Sequence, residues 1–219
     1  MNARTWYLLA AALAAAAAVA PPLDRLADGS FAWHMVQHLL LLFVVPLLLL
    51  CTHPFELFVA VAGKRTTTAF VRATRALHVV AQPPAALAAF TGTLWLTHFT
   101  PLYELSLANP LVHAGEHLLY LAAGTLFWLP VLAPPPLRPL AYPARLLYLA
   151  IALPQGALVA MAIGSARVPL YPHYAMLAGR QSALSDQAAA AALMWIVGGL
   201  AVLIALLTTL GTWAKREAA

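Results

Sequence analysis

Residues 33–50 read WHMVQHLLLLFVVPLLLL. The run is apolar and long enough to enter a bilayer, whose hydrocarbon core takes about 20 helical residues. It nevertheless opens with two imidazoles, His34 and His38, four residues apart. Positions i and i+4 lie on one helical face, a turn apart. Ionisable or ligating groups within a span are costly and mark function. The device recurs at His113 and His117. Eight histidines scattered over 219 positions give about 0.3 pairs at this spacing, so two pairs, both opening apolar runs, exceed chance.

Hydrophobic residues make up 63% of the chain and charged ones 9%, whereas a soluble domain carries roughly a quarter charged residues. The chain is therefore expected in a lipid bilayer. Long Leu/Ala-rich runs without two-residue alternation predict helices rather than a barrel. The fold class expected is all-α, a polytopic transmembrane helical bundle of about six spans, forming a single domain over residues 1–219. The net charge of +5 does not predict nucleic-acid binding, because the basic residues sit in connectors between apolar runs. The single Cys51 excludes an internal disulfide or CxxC motif and reads as a packing residue.

The spans are expected near 5–20, 32–51, 83–99, 111–132, 144–164 and 188–211. AVA before Pro21 resembles a signal-peptide cleavage site, but proline directly after it is a poor context, so the first run is read as a retained span. Residues 21–31 read as turn-rich, and Pro46 is expected to kink the second span. The connector 52–82 carries Lys64, Arg65, Arg72 and Arg75 and reads as a basic cytoplasmic segment able to lie on anionic lipid.

With the N-terminus inside, Arg4, Lys64, Arg65, Arg72, Arg75, Arg138, Arg145, Lys215 and Arg216 face the cytoplasm. Arg25, Arg167 and Arg180 face outward. Nine against three satisfies the positive-inside rule and predicts a multi-pass protein of the bacterial cytoplasmic (inner) membrane with both termini cytoplasmic. This orientation gathers His34, His38, His98, His113, His117 and His173 in the outer half, leaving His53 and His78 inside. Met35 and Met161 are also outer.

Two facing pairs offer imidazole nitrogens that suit copper, zinc, iron or nickel, and a thioether shifts preference toward Cu(I). Met194 lies two turns inside the last span, with Gln187 on the same face. Asp186 can bind metal or orient an imidazole. The expected metal-site residues are His34, His38, His113, His117, Met194 and Asp186, supported by Gln187, Glu116, Trp195 and His98. No catalytic residue is expected. Two alternatives stand beside copper. HAGEH at 113–117 matches the H-x-x-E-H pattern of inverted zincins, with Glu116 as general base of a zinc-dependent intramembrane hydrolase. One histidine from each pair can instead ligate a haem b, leaving the turn-spaced partners unexplained. The inner halves of the second, fourth and sixth runs hold no ionisable residue, which suits a docking or hand-over site better than a conduit.

HMVQHLLL at 34–41, NPLVHAGEHLLYLAAGTLFWLPVL at 109–132 and DQ with MW at 186–195 resemble the caa3-type cytochrome c oxidase assembly factor family, the polytopic CtaG proteins. The likeness covers most of residues 31–211. It implies a non-enzymatic membrane protein needed to assemble a haem–copper oxidase, helping copper reach it. The partners so implied are cytochrome c oxidase subunits and a periplasmic or other extracytoplasmic copper donor, besides the lipid bilayer. It also implies that His34, His38, His113, His117, Asp186, Gln187, Met194 and Trp195 occupy the family's motif positions.

Overall fold

The computed structural model describes residues 2–61, 82–135 and 137–218; most of the basic connector, with Lys64, Arg65, Arg72, Arg75 and His78, lies outside them. Every regular element among the described residues is helical. Helix α1 (Ala3–Val19) is capped by the Asn2 side chain, which accepts from the Thr5 amide. The chain extends at Ala20 and enters α2 (Pro21–Gly29), 42° away. A turn-rich loop was the sequence expectation here. The segment is helical because prolines at its first positions need no N–H donor and Asp24 in the first turn meets the positive end of the helix dipole.

Helix α3 (Phe31–Leu39) continues through a π-helical turn (Leu40–Val44) into α4 (Val45–Cys51), and α5 (Pro54–Val61) follows. Pro46 lacks the N–H that would bond the Leu42 carbonyl, and the ladder widens just before it. After the connector come α6 (Pro83–Phe99), the short α7 (Leu102–Ala108), α8 (Pro110–Leu132) and α9 (Tyr142–Gly164). The short α10 (Pro172–Ala178) leads to α11 (Arg180–Leu193), which runs through a second π-helical turn (Met194–Gly198) into α12 (Gly199–Glu217). The last helix thus begins at Arg180, earlier than the sequence reading placed it.

Among the described residues, three helices are long and apolar enough to cross a membrane: Phe31–Cys51, Tyr142–Gly164 and Arg180–Glu217. Counting the bent pair α1–α2 as one span makes four. Helix α6, at 17 residues, is about 26 Å long, short of a core of about 30 Å. Helix α8 has 23 residues but is polar at its start, where His113, Glu116 and His117 cluster.

Contacts fix the directions of these helices. Phe90 of α6 stacks on Phe127 of α8 (4.5 Å) and lies 6.1 Å from Phe43, whereas His98, at the other end of α6, meets Met35 and Tyr120. Helix α6 is therefore antiparallel to α3–α4 and to α8, which run side by side in the same sense. Gln37 reaches the Ala18 carbonyl while Arg4 pairs with Glu56 at 2.6 Å, so α1 opposes α3–α4. That guanidinium holds the Glu56 carboxyl below its usual range. Gln187 bonds the Ile163 carbonyl while Trp213 stacks over Tyr142, so α9 opposes α11–α12. Ile196, Leu200, Leu203, Ile204 and Leu207 leave an exposed apolar face on the last helix, as suits a surface against lipid.

Among the described glycines, Gly124 marks the tightest approach, between α8 and the first π turn. A Cβ on Gly124 would lie 2.2 Å from the Leu42 carbonyl oxygen, which Pro46 has released. Small residues permit such approaches between membrane helices. Gly124→Ala is expected to force the two helices apart at a cost of about 1–3 kcal/mol, seen as a lower unfolding temperature in detergent; an unchanged temperature would refute the contact.

Candidate metal centre

The parallel packing of α3 and α8 brings the two histidine pairs to one depth. His34 and His113 have ring centroids 5.0 Å apart, His38 and His117 5.7 Å, and His113 and His117 4.2 Å. His34 and His38 are 0% and 2% exposed, and His117 is 9%. Ligating atoms of His34, His38 and His117 all lie within 4.8 Å of one another. His113 adjoins this triad without belonging to it.

The start of α3 is clamped by Asp186 from α11. Its Oδ1 accepts from the Ser30 hydroxyl (2.7 Å) and the Ala32 amide (3.3 Å), and its Oδ2 from the Phe31 amide (2.5 Å). Ser30 itself caps α3 by accepting from the Trp33 amide. A carboxylate at a helix N-terminus satisfies orphan donors and meets the dipole. Both Asp186 oxygens are committed to this strut, one turn before His34, so the residue positions an imidazole rather than offering itself as a ligand. Gln187 is likewise tied down, accepting from the Leu170 amide (2.8 Å) and donating to the Ile163 carbonyl (3.0 Å).

Hydrogen bonds around His34 assign its tautomer. The Tyr174 hydroxyl donates to the Ala27 carbonyl (3.1 Å), so its oxygen accepts from His34 Nδ1–H at 3.2 Å. The lone pair on His34 Nε2 then faces His38 Nε2, 3.1 Å away. Two nitrogens on one tetrahedral ion at 2.0–2.1 Å stand about 3.3 Å apart, so this separation fits a shared cation. Tyr103 lies 3.3 Å from the Tyr174 hydroxyl. Burial holds the Tyr103, Tyr171 and Tyr174 phenols well above their ordinary range, so these rings roof the site as neutral groups.

Buried polar atoms without partners concentrate here. His38 Nδ1, His113 Nε2, His117 Nε2 and both oxygens of Glu116 lack a hydrogen bond of normal geometry among the described residues. Ser106 lies close to the Glu116 carboxyl, but its hydroxyl donates to the Tyr103 carbonyl at 2.7 Å. Glu116 Oε2 is 3.9 Å from His38 Nε2. Such orphaned groups are rare and need a ligand, ion or water to account for them. Three imidazole nitrogens and one buried carboxyl form a donor set suited to a first-row cation.

The remaining candidates from the sequence scatter. Met194 lines a small apolar cavity with Leu39, Leu42, Phe43, Phe90 and Leu94, and no histidine is among the described residues of that lining. Met35 Sδ lies 3.4 Å from His98 Nε2, a histidine outside the triad. His98 is buried and bonded through Nδ1 to the Leu94 carbonyl (2.8 Å). Trp195 is 61% exposed and faces away, and His173 bonds the Asp28 carbonyl. Sequence reasoning missed Tyr103, Tyr120, Tyr174 and Asp24. Tyr120, stacked on His38 at 3.9 Å, was discoverable because it lies three residues after His117 on the same face.

The profile described as cytochrome c oxidase caa3 assembly factor matches residues 1–216. The chain belongs to that family. Two uncharacterised proteins, one of Mycobacterium bovis and one of Mycobacterium tuberculosis, are each 24% identical over 203 residues, covering 87% of this chain and 31% of the relative. The chain thus spans about a third of the length of these curated relatives. No solved structure matches it. Asp186 thus holds the start of the helix that carries the first histidine pair, while Gln187 ties α11 to α9 and to the Leu170 amide. Asp186→Ala is expected to lower unfolding free energy by about 1–2 kcal/mol, measured by thermal unfolding in detergent; an unshifted transition would remove the strut from the account.

Proposed function

We propose that this membrane-embedded assembly factor binds copper between α3 and α8, through His34, His38 and His117, and helps hand it to a cytochrome c oxidase. The observation that carries the reading is the convergence of those three imidazoles beside orphaned nitrogens and an uncompensated carboxyl. Copper is favoured over zinc by the metal order for nitrogen donors and by the copper content of the enzyme the family assembles. His113 and Glu116 complete the surroundings, Glu116 offsetting cationic charge. Asp186 and Gln187 position the helices, and the role requires no catalytic residue.

About six crossings remain the proposed topology. The alternating directions of α1, α3–α4, α6, α8, α9 and α11–α12 support it, and the basic-residue count supports an outward-facing site with both termini cytoplasmic. Oxidase subunits and an extracytoplasmic copper donor are the proposed partners. Neither the zinc hydrolase nor the haem reading gains support beyond the HAGEH pentad and the histidine pairs themselves.

Elemental analysis of the detergent-purified chain tests the reading. Copper is expected in the wild type and a loss of roughly tenfold or more in His34→Ala/His38→Ala, with normal membrane insertion. Undiminished copper in that variant would overturn the site, and zinc in place of copper would overturn the metal. Bound copper should also decline on acidification, because imidazole coordinates only when unprotonated. Glu116→Gln provides a separate check. Removing an uncompensated buried carboxyl is expected to leave the metal-free protein as stable or more so, while shrinking the rise in unfolding temperature that copper produces.

A further inference from the structure

The buried triad meets the outside through one of its own members. A cleft of about 620 Å³ lies between α1–α2 and α8, lined by Ala15, Ala16, Val19, Asp24, His113 and His117 among others. His117 belongs both to this wall and to the buried triad. Nε2 atoms of His113 and His117 lack hydrogen-bond partners among the described residues. Asp24 is the only carboxylate among the described residues of the lining and is close enough to His117 to interact with it electrostatically. Its Oδ1 accepts from Gln37 Nε2 at 3.2 Å, and that same nitrogen reaches the Ala18 carbonyl at 2.9 Å. The bond ties the acidic side chain of α2 to the helix bearing His34 and His38.

We propose that this cleft is the passage by which the cation reaches and leaves the buried histidines, with Asp24 and His113 forming an outer binding station. The inference rests on the copper reading above and adds to it a second donor group and a route. A metal ion moves through a protein by ligand exchange, so a low barrier requires overlapping donor sets. Asp24, His113 and His117 make one set, and His117, His34 and His38 make the next, with His117 common to both. His113 bridges them, its ring 4.2 Å from His117 and 5.0 Å from His34. A carboxylate at an apolar wall attracts a cation from solution, and the softer imidazoles lie deeper. No redox change is involved: the ion exchanges one donor for the next and keeps His117 throughout.

The test uses the purified full-length chain, freed of metal, and Cu(I) held by a coloured chelator whose absorbance reports transfer. Asp24→Asn keeps an acceptor for Gln37 but removes the charge; Ala16→Trp fills the cleft from α1 without altering any donor. Each is expected to slow copper uptake roughly tenfold, and Ala16→Trp to reach the wild-type copper content at the endpoint. Because that endpoint is an equilibrium, release from Ala16→Trp must slow by the same factor. Wild-type rates in both variants overturn the passage while leaving the copper site intact. Asp24→Asn with an endpoint as low as His34→Ala/His38→Ala makes Asp24 a ligand of the buried site and overturns the separate station. A wild-type chain that takes up no copper overturns the copper reading and the passage together.

Discussion

The distance between the Leu42 carbonyl and Gly124 sets the register on which the centre depends. Pro46 leaves that carbonyl without its helical donor, and the absent side chain at Gly124 lets the backbone of α8 come against it. Two helices held this closely, running in the same direction, cannot slide by a turn without a clash. Counting back four residues from the contact sets His38 against Tyr120, on which it stacks, and brings the pair His113 and His117 within about a turn of His34 and His38. The alignment of imidazoles is thus a consequence of backbone packing several residues away from them.

Electrostatics then explains why the pocket is built of neutral walls and a few expensive groups. Buried imidazoles and a buried carboxyl each lose hydration that little around them replaces. Tyr103, Tyr171 and Tyr174 remain protonated and contribute no charge, so the acidic groups beside the histidines are Glu116, 3.9 Å from His38, and Asp24, close to His117. The strut from Asp186 is different in kind. Its charge is offset by backbone amides and a hydroxyl at the start of α3, and it does structural work outside the ring of histidines. A carboxylate flanking a candidate site is therefore assigned by what its oxygens already touch.

The helical class and the two histidine pairs were legible in the sequence because both are periodic signals: apolar length for the one, four-residue spacing for the other. The side on which Asp186 acts was not legible, since its partners Ser30, Phe31 and Ala32 are distant in the chain and carry no spacing signature. A thioether two turns inside the last span makes Met194 a candidate soft ligand by sequence, yet its side chain lines an apolar cavity among Leu39, Phe43 and Phe90. The sulfur of Met35, between the two histidines of the first pair, meets His98 rather than the triad. Helix α2 and the first half of α11, residues 180–187, also escaped. Their polar residues look like loop in isolation and become helical where prolines open the turn or a neighbouring helix covers one side. Tyr103 and Tyr174 sit in short helices without any motif, and only tertiary folding brings them over His34.

The clamp on α3 also dictates when the centre can exist during synthesis. Ser30 and Phe31 emerge early, whereas the carboxylate that fixes them is 156 and 155 residues further along. A nascent chain that has not yet reached α11 has both histidine pairs but no anchored start for the helix that carries the first. The histidine cluster therefore takes its folded arrangement last, and a chain ending before α11 carries both pairs without the anchored geometry.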